Sequence, residues 1–256
     1  MAFDETTIMA GKNCRLFVNQ FDISGWTNSY GATDDCKDLD CSCFGPAEQS
    51  KPGQARFEMN FAGLYPNAAG IGSMRDAILA ACYSGRVALE TAKVIFLPGA
   101  VTAGSLAFHG MGSIRAGGVK AAGGDLVRMT AKIKPTGFAD LNAHLLGLVT
   151  LTAASAGTTN GTTVDAGLAR VGAIGSAAHL AAFSWGGGTS LAVKVQHSSN
   201  GSSWSDLITF TTATGVTSER KTTTGDVYRY RRVAYTTVGT VTAAFVVTFG
   251  EAPATA

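Results

Sequence analysis

The sequence predicts an all-β protein with one helix, made of a first domain over residues 1–150 and an immunoglobulin-like β-sandwich over 151–256. Three observations carry this. Charged residues are 15% of the chain and there are 32 glycines, against about 25% charge in an ordinary domain, a composition suited to strands joined by tight turns. Apolar and polar residues alternate at period two in segment after segment. Composition also breaks near residue 150: residues 1–148 hold 13 basic and 13 acidic side chains, residues 149–256 hold 7 and 5, and the second part is richer in Thr and Ser. At 256 residues either part is long enough to bury its own core.

The first clear strand is Arg56–Ala62, with Phe57, Met59 and Phe61 on one face and Arg56, Glu58 and Asn60 on the other. Residues 71–83 change period: Ile71, Met74, Ile78, Leu79 and Cys82 recur at helical spacing, and Gly85 is placed to end that helix. Alternation then returns, with Val127, Met129, Ala131 and Ile133 opposite Arg128, Thr130, Lys132 and Lys134. One dry and one wet face per strand is the pattern of an antiparallel sheet. After residue 150 no helix is evident. Leu191, Val193, Val195 and His197 share a strand face, Asn200-Gly201 signals a type I′ hairpin, residues 204–210 return, and Val241 to Phe249 alternate last.

A net charge of +2 offers no general attraction to nucleic acid or anionic lipid. No apolar run approaches the roughly 18 residues of a membrane span, so no membrane partner is expected. The N-terminal residues carry acids where an export signal needs a basic start, and five cysteines without export favour reduced thiols.

Chemistry is sparse. Cys36, Cys41 and Cys43 lie among four aspartates in DDCKDLDCSCFGPAE, Asp34 to Glu48. The spacing lacks the Cys-x2-Cys pair of a zinc site. Cys41 and Cys43 would share a strand face, where a mutual disulfide is rare, so unlinked structural thiols are the expectation over a metal site. Gly70-Ile-Gly72 lacks the lysine of a phosphate loop and reads as a helix entry. The histidines at 109, 144, 179 and 197 are scattered, with His197 on an apolar face. Tyr228-Arg-Tyr-Arg-Arg232 mixes cations and rings as nucleic-acid platforms do, yet a solvated strand with tyrosines packed at its edge accounts for it. No catalytic group emerges, and neither an enzymatic activity nor a cofactor is expected.

The segment Leu16-Phe-Val-Asn-Gln-Phe-Asp-Ile-Ser-Gly-Trp-Thr-Asn28 resembles the opening of the tail tube (major tail) proteins of long-tailed bacteriophages, V-x-x-x-D-hydrophobic-S/T-G-Y-hydrophobic-N. Asp38-Leu-Asp-Cys-Ser-Cys-Phe-Gly45 is similar to the family's D-x-L-D-V-T-T-F-G, and turns at Ile95–Gly99 and Gly124–Val127 fall in matching order. The resemblance spans residues 12–137. Cys41 and Cys43 replace the usual Val and Thr, Trp26 replaces Tyr, and Pro46 and Pro52 enter the following loop. The second part looks like β-sandwich domains appended to phage tail proteins.

The resemblance implies a virion protein, made in the bacterial host cytoplasm, that forms stacked hexameric rings. Inner strands would join across subunits into a β-barrel whose lumen conducts double-stranded DNA, without sequence recognition, during ejection. Implied partners are further copies of the chain, other tail proteins at the tube ends and a tape measure protein in the lumen. Inter-ring contacts would come from the arm Met1–Lys12 and from Asp38, Asp40, Phe44, Gly45, Pro46, Glu48, Lys51 and Gln54. The lumen or a subunit contact would take Arg56, Glu58, Asn60, Arg128, Thr130, Lys132 and Lys134. The competing reading is a carbohydrate-binding or adhesion protein of two β-sandwiches; a small enzyme or metalloprotein using the cysteine cluster is a third. Changing Cys41→Val together with Cys43→Thr is expected to leave folding and assembly intact, and metal analysis should find less than about 0.1 equivalent per chain. Near-stoichiometric zinc or iron, or a variant that no longer folds, would restore the metal reading.

Overall fold

The computed structural model describes residues 14–25, 27–40, 50–64, 92–99, 101–120, 128–135, 140–170 and 176–251. Among them every regular element is a strand, and the helix expected over 71–83 lies outside the described residues. An 11-stranded antiparallel sheet contains β1 (Arg15–Val18), β2 (Phe21–Asp22), β3 (Thr27–Asp40), β4 (Ser50–Leu64), β5 (Ala92–Leu97), β6 (Leu106–Lys120), β7 (Arg128–Pro135), β8 (Asp140–Ala154), β11 (Ser176–Gly187), β14 (Thr217–Thr223) and β16 (Val241–Glu251). A 5-stranded sheet holds β9 (Gly157–Asn160), β10 (Val164–Asp165), β12 (Ser190–Ser198), β13 (Ser205–Thr209) and β15 (Tyr230–Val238).

The large sheet runs β14-β11-β16-β8-β6-β5-β1-β2, with β7 bound to β6 and β4, and β3 bound to β4. It curls until its ends meet: β11 reaches β2 and β14 reaches β5. Phe17 of β1 and Phe183 of β11 pack at a 40° tilt with ring centres 5.0 Å apart across that closure. The curl divides the interior into three cores in a row. The first joins Met59, Phe61, Ala131 and Ile133 to Leu16, Val18, Ala92 and Val94. The second lies inside the curl and gathers Phe17, Ile95, Leu97, Leu145, Ala181 and Val246. The third packs Leu180, Phe245, Val247 and Phe249 against Leu191, Val193, Val195 and Val233 of the small sheet.

Strands between two cores are dry on both faces. That is why β16 is buried at every position from Ala243 to Gly250, where alternation had implied one wet face. On β8 a bulge at Leu146 breaks the alternation, so Leu145 enters the second core and Leu146 the third. Strand β8 also runs through the composition break at residue 150 and pairs with β6 and β16, which lie on either side of it. Asn200-Gly201 sits in a hairpin as expected, but the loop spans 199–204 rather than two residues. Only Gly201 has positive φ there (+74°); Asn200 Oδ1 instead accepts the backbone N–H groups of Ser202 and Ser203 at 2.9 and 2.8 Å, an Asx-turn solution.

The second core is polar at one end. His109 and His179 stack with ring centres 4.3 Å apart, and His109 Nδ1 lies 2.9 Å from Thr248 Oγ1. Burial, then the nearby Arg220 charge, lowers the His109 pKa to about 3. Burial first, with His109, Arg220 and Lys93 beside it, also holds His179 well below its usual value. Both rings are therefore neutral when folded, whereas the unfolded chain protonates them near pH 6.5. As pH falls from about 6.5 toward 3 the unfolded state binds the extra protons, so stability present above 6.5 is lost by up to ~1.4 kcal/mol per pH unit for each histidine. Urea titrations of the wild type and His179→Phe between pH 7 and 4 should show the shallower pH slope in the variant; identical slopes would mean His179 does not report on folding.

Candidate functional site

The expected lumen-facing or subunit-contact residues that are described fall on β4 and β7, which flank the first core. Met59 and Phe61 of β4 and Ala131 and Ile133 of β7 are buried, so their alternates point away from the core. Of these, Asn60, Arg128 and Thr130 are exposed and Lys132 is half-buried. Register sets Asn60 opposite Lys132, Ala62 opposite Thr130 and Leu64 opposite Arg128, which gathers the described members of the polar face on two adjacent strands. Arg56 and Glu58 continue β4 on the same alternation, opposite Asp35 and Thr33 of β3, while Lys134 continues β7 opposite Ser113 of β6.

Asp38 and Asp40 lie at the end of β3; Lys51 and Gln54 lie in β4. Phe44, Gly45, Pro46 and Glu48, with Cys41, Cys43 and the Met1–Lys12 arm, fall outside the described residues. Pro52, assigned to a loop by the sequence, lies within β4, which begins at Ser50. Pro52 and Gly53 imitate a turn in the sequence. In the structure Pro52 pairs with Asp38 beside a register shift between Cys36 and Asp38, the irregular kind of strand position that tolerates a missing N–H.

The consequence is a long two-stranded hairpin with open edges. β4 meets β7 only from Met59 to Leu64, so Ser50–Glu58 pairs with β3 alone among the described residues. That stretch extends roughly 30 Å at about 3.3 Å per residue. β3 has no described partner on its far side along its whole length.

At the hairpin root a cleft of about 360 Å³ is lined by Cys14, Arg15, Ser24, Asn28, Tyr30 and Phe96, among others. Tyr30 stacks on Phe96 with ring centres 3.7 Å apart. Burial pushes the Tyr30 phenol well above its usual range, and its oxygen has no hydrogen-bond partner among the described residues. Cys14 Sγ donates to the Pro98 carbonyl at 3.1 Å, and burial raises its pKa. No group of three or more His, Cys, Asp or Glu among the described residues is arranged to hold a metal ion.

The Asp22-Ile-Ser24-Gly25 stretch has a physical role that its pattern alone did not disclose. Asp22 Oδ1 accepts the Ser24 N–H at 3.0 Å and the Ser24 hydroxyl, and Asp22 Oδ2 accepts from Arg15 at 2.8 Å. The Leu16 N–H donates in turn to Ser24 Oγ at 2.9 Å. Asn19, at φ +53°, closes the β1–β2 turn and fixes it to β5 through Lys93: its N–H donates to the Lys93 carbonyl at 2.7 Å and its Oδ1 accepts the Lys93 N–H at 2.9 Å. These bonds set where β3 starts. Asp22→Ala strands three donors and should cost about 1–3 kcal/mol, with Asp22→Asn between it and wild type, in chemical denaturation. An unchanged midpoint for Asp22→Ala would remove the staple.

No protein-family profile and no curated protein matches this chain. Among solved structures it is similar to a chain of the SPP1 tail tube determined by solid-state NMR and cryo-EM, at 11% identity and TM-score 0.42, over 51% of this chain and 77% of that one. It is also similar to the SPP1 Dit protein, described as a hub of the adsorption apparatus in phages infecting Gram-positive hosts, at 9% identity and TM-score 0.34, over 93% and 99% of the two chains. A chain of the activated phage p2 baseplate with Sr aligns at 9% identity and TM-score 0.30, over 92% and 97%.

Proposed function

We propose that the chain is a structural subunit of a bacteriophage tail tube, without enzymatic activity or cofactor, forming stacked hexameric rings whose lumen conducts DNA. The observation that carries this is the β3–β4 hairpin: a long strand pair whose outer hydrogen-bonding edges meet no other strand among the described residues, along β3 and over Ser50–Glu58 of β4. Such edges need a covering partner or they invite aggregation. A second copy of the chain supplies one, and repetition around a ring leaves no edge at all.

The two faces of the first layer fit the same arrangement. Its dry face rests on β1 and β5, and its wet face presents Asn60, Arg128, Thr130 and Lys132. A channel that passes DNA must not hold phosphates tightly through counterion release. In register Asp35 lies across from Arg56, but Arg128 lies across from Lys120, so this reading needs acids from a neighbouring copy to bring the wall to low net charge. Residues 1–150 would form the tube portion and 151–256 the outer sandwich, joined through the shared strand β8. Other copies, tail proteins at the tube ends, a tape measure protein and passing DNA are the partners of this reading, with the virion tail as its location.

Negative-stain micrographs of purified protein should show rings or tubes with a central channel; a dispersed monomer that binds neutral glycans would instead favour the adhesion reading. Replacing residues 37–54 by Asn-Gly, across the Cys36–Ala55 register pair, should keep the melting temperature within a few degrees yet abolish stacking into tubes. Tubes of normal length from that variant would exclude the hairpin as an inter-ring contact.

A further inference from the structure

The small sheet has an outward face built around a displaced strand residue. On β12 and β15, Gln196 lies opposite Arg232. On the other side of β12, pairing runs Val195 with Ile208 and then Gln196 with Asp206. Leu207 is the extra residue of that bulge and packs against the core beneath. Uninterrupted pairing would set a leucine beside Gln196; the bulge sets a carboxylate there, which is how bulges commonly re-aim side chains.

The result is a hydrogen-bonded row across three strands. Arg232 Nε donates to Gln196 Oε1 at 3.0 Å, and Gln196 Nε2 donates to Asp206 Oδ1 at 2.8 Å. Lys194 Nζ donates to Asp206 Oδ2 at 2.7 Å. These bonds from Lys194 and then Gln196 hold the Asp206 carboxyl below its usual range, so it stays ionised. The Arg232 guanidinium lies 4.1 Å from the centre of the half-buried Trp204 ring, and Tyr230 precedes it by two residues on the same strand face. The row spans about 10 Å, two strand spacings, the reach of a disaccharide.

Charge narrows the ligand. Arg229 is paired in two-pronged fashion with Asp165 at 2.6 Å, Arg231 with Glu251, and Lys194 with Asp206. Arg232 meets no carboxylate among the described residues, and its terminal nitrogens keep a fork suited to a planar anion. A nucleic-acid backbone brings a phosphate with every nucleotide and would meet the Asp206 carboxylate beside a single open cation. One carboxylate among neutral hydroxyls fits better. We propose that this row binds an acidic saccharide: its carboxylate to Arg232, neighbouring hydroxyls to Gln196 and Asp206, and its C–H faces to Trp204 and Tyr230. This site stands whether or not the chain forms tubes.

The test titrates the full chain with an oligogalacturonate, a neutral cello-oligosaccharide and a short single-stranded oligothymidylate, by calorimetry and tryptophan fluorescence. Expected are saturable binding of the oligogalacturonate, at least about tenfold weakening by Arg232→Gln at unchanged melting temperature, and a smaller loss for Asp206→Asn. Should Arg232→Gln fail to fold, Gln196→Ala replaces it and should also weaken binding. Failure of the uronate to bind at about 10 mM, equal affinity in wild type and variants, or equal binding of the neutral sugar would overturn the proposal. Oligothymidylate binding that depends on Arg232, without uronate binding, would also overturn it and mark a nucleic-acid platform instead.

Discussion

The curled sheet depends on β8, β11 and β16 being dry on both faces where they lie between two cores. Val246 and Thr248 of β16 look into the curl, while Phe245, Val247 and Phe249 look toward the small sheet. Burying one such large apolar side chain is worth about 1.5–3 kcal/mol, so a strand that loads both faces contributes twice over per unit length. The same holds on the other side of the curl, where Leu16 and Val18 of β1 serve one core and Phe17 the next. Two shared walls thus couple three cores, and none of the layers can be removed without exposing its neighbour.

Some of the polar groups that enter these walls are compensated by geometry. Arg231, 4% exposed, meets Glu251 at the end of β16, lies over the Phe249 ring at 5.2 Å, and donates to the Tyr228 carbonyl at 3.3 Å. Glu251 is also held by Arg170 at 3.0 Å. Removing one partner of such a pair leaves a buried charge, a loss of roughly 3–5 kcal/mol, so the cluster fixes the small sheet against the last strand. The imidazole pair inside the curl is less compensated: neither nitrogen of His179 has a hydrogen-bond partner among the described residues, which ties that core to pH rather than to a single well-satisfied state.

What the sequence discloses follows from how many faces of a strand are wet. β4, β7 and β12 each have one, and their alternation was readable: Met59, Phe61, Ala131, Ile133, Val193 and Val195 are all buried as expected. β8 and β11 are buried on both sides for much of their length, so no period marks them, and neither was anticipated. Composition drew a boundary at residue 150, inside β8, because Thr- and Ser-rich surface strands follow it; pairing of β8 with β6 and β16 is long-range and leaves no local trace. At the sites the same limit applies. The Asp22-x-Ser24 pattern was visible but not its bonds to Arg15 and Leu16, and the Gln196–Asp206 juxtaposition depends on a one-residue bulge that no propensity encodes.

The open hairpin then becomes intelligible as an element the walls do not support. Its root is tied down by the Asp22 staple and by β7, but the stretch beyond Met59 has a single partner strand among the described residues. An isolated pair of strands is marginal in water, and it gains stability only when a third strand or a packed face is added. Stability supplied by the three cores allows such an extension to be kept without endangering the fold. Covering its edges with another copy would therefore add little to the folding of one chain and much to the joining of two, which is the division of labour an assembling subunit requires.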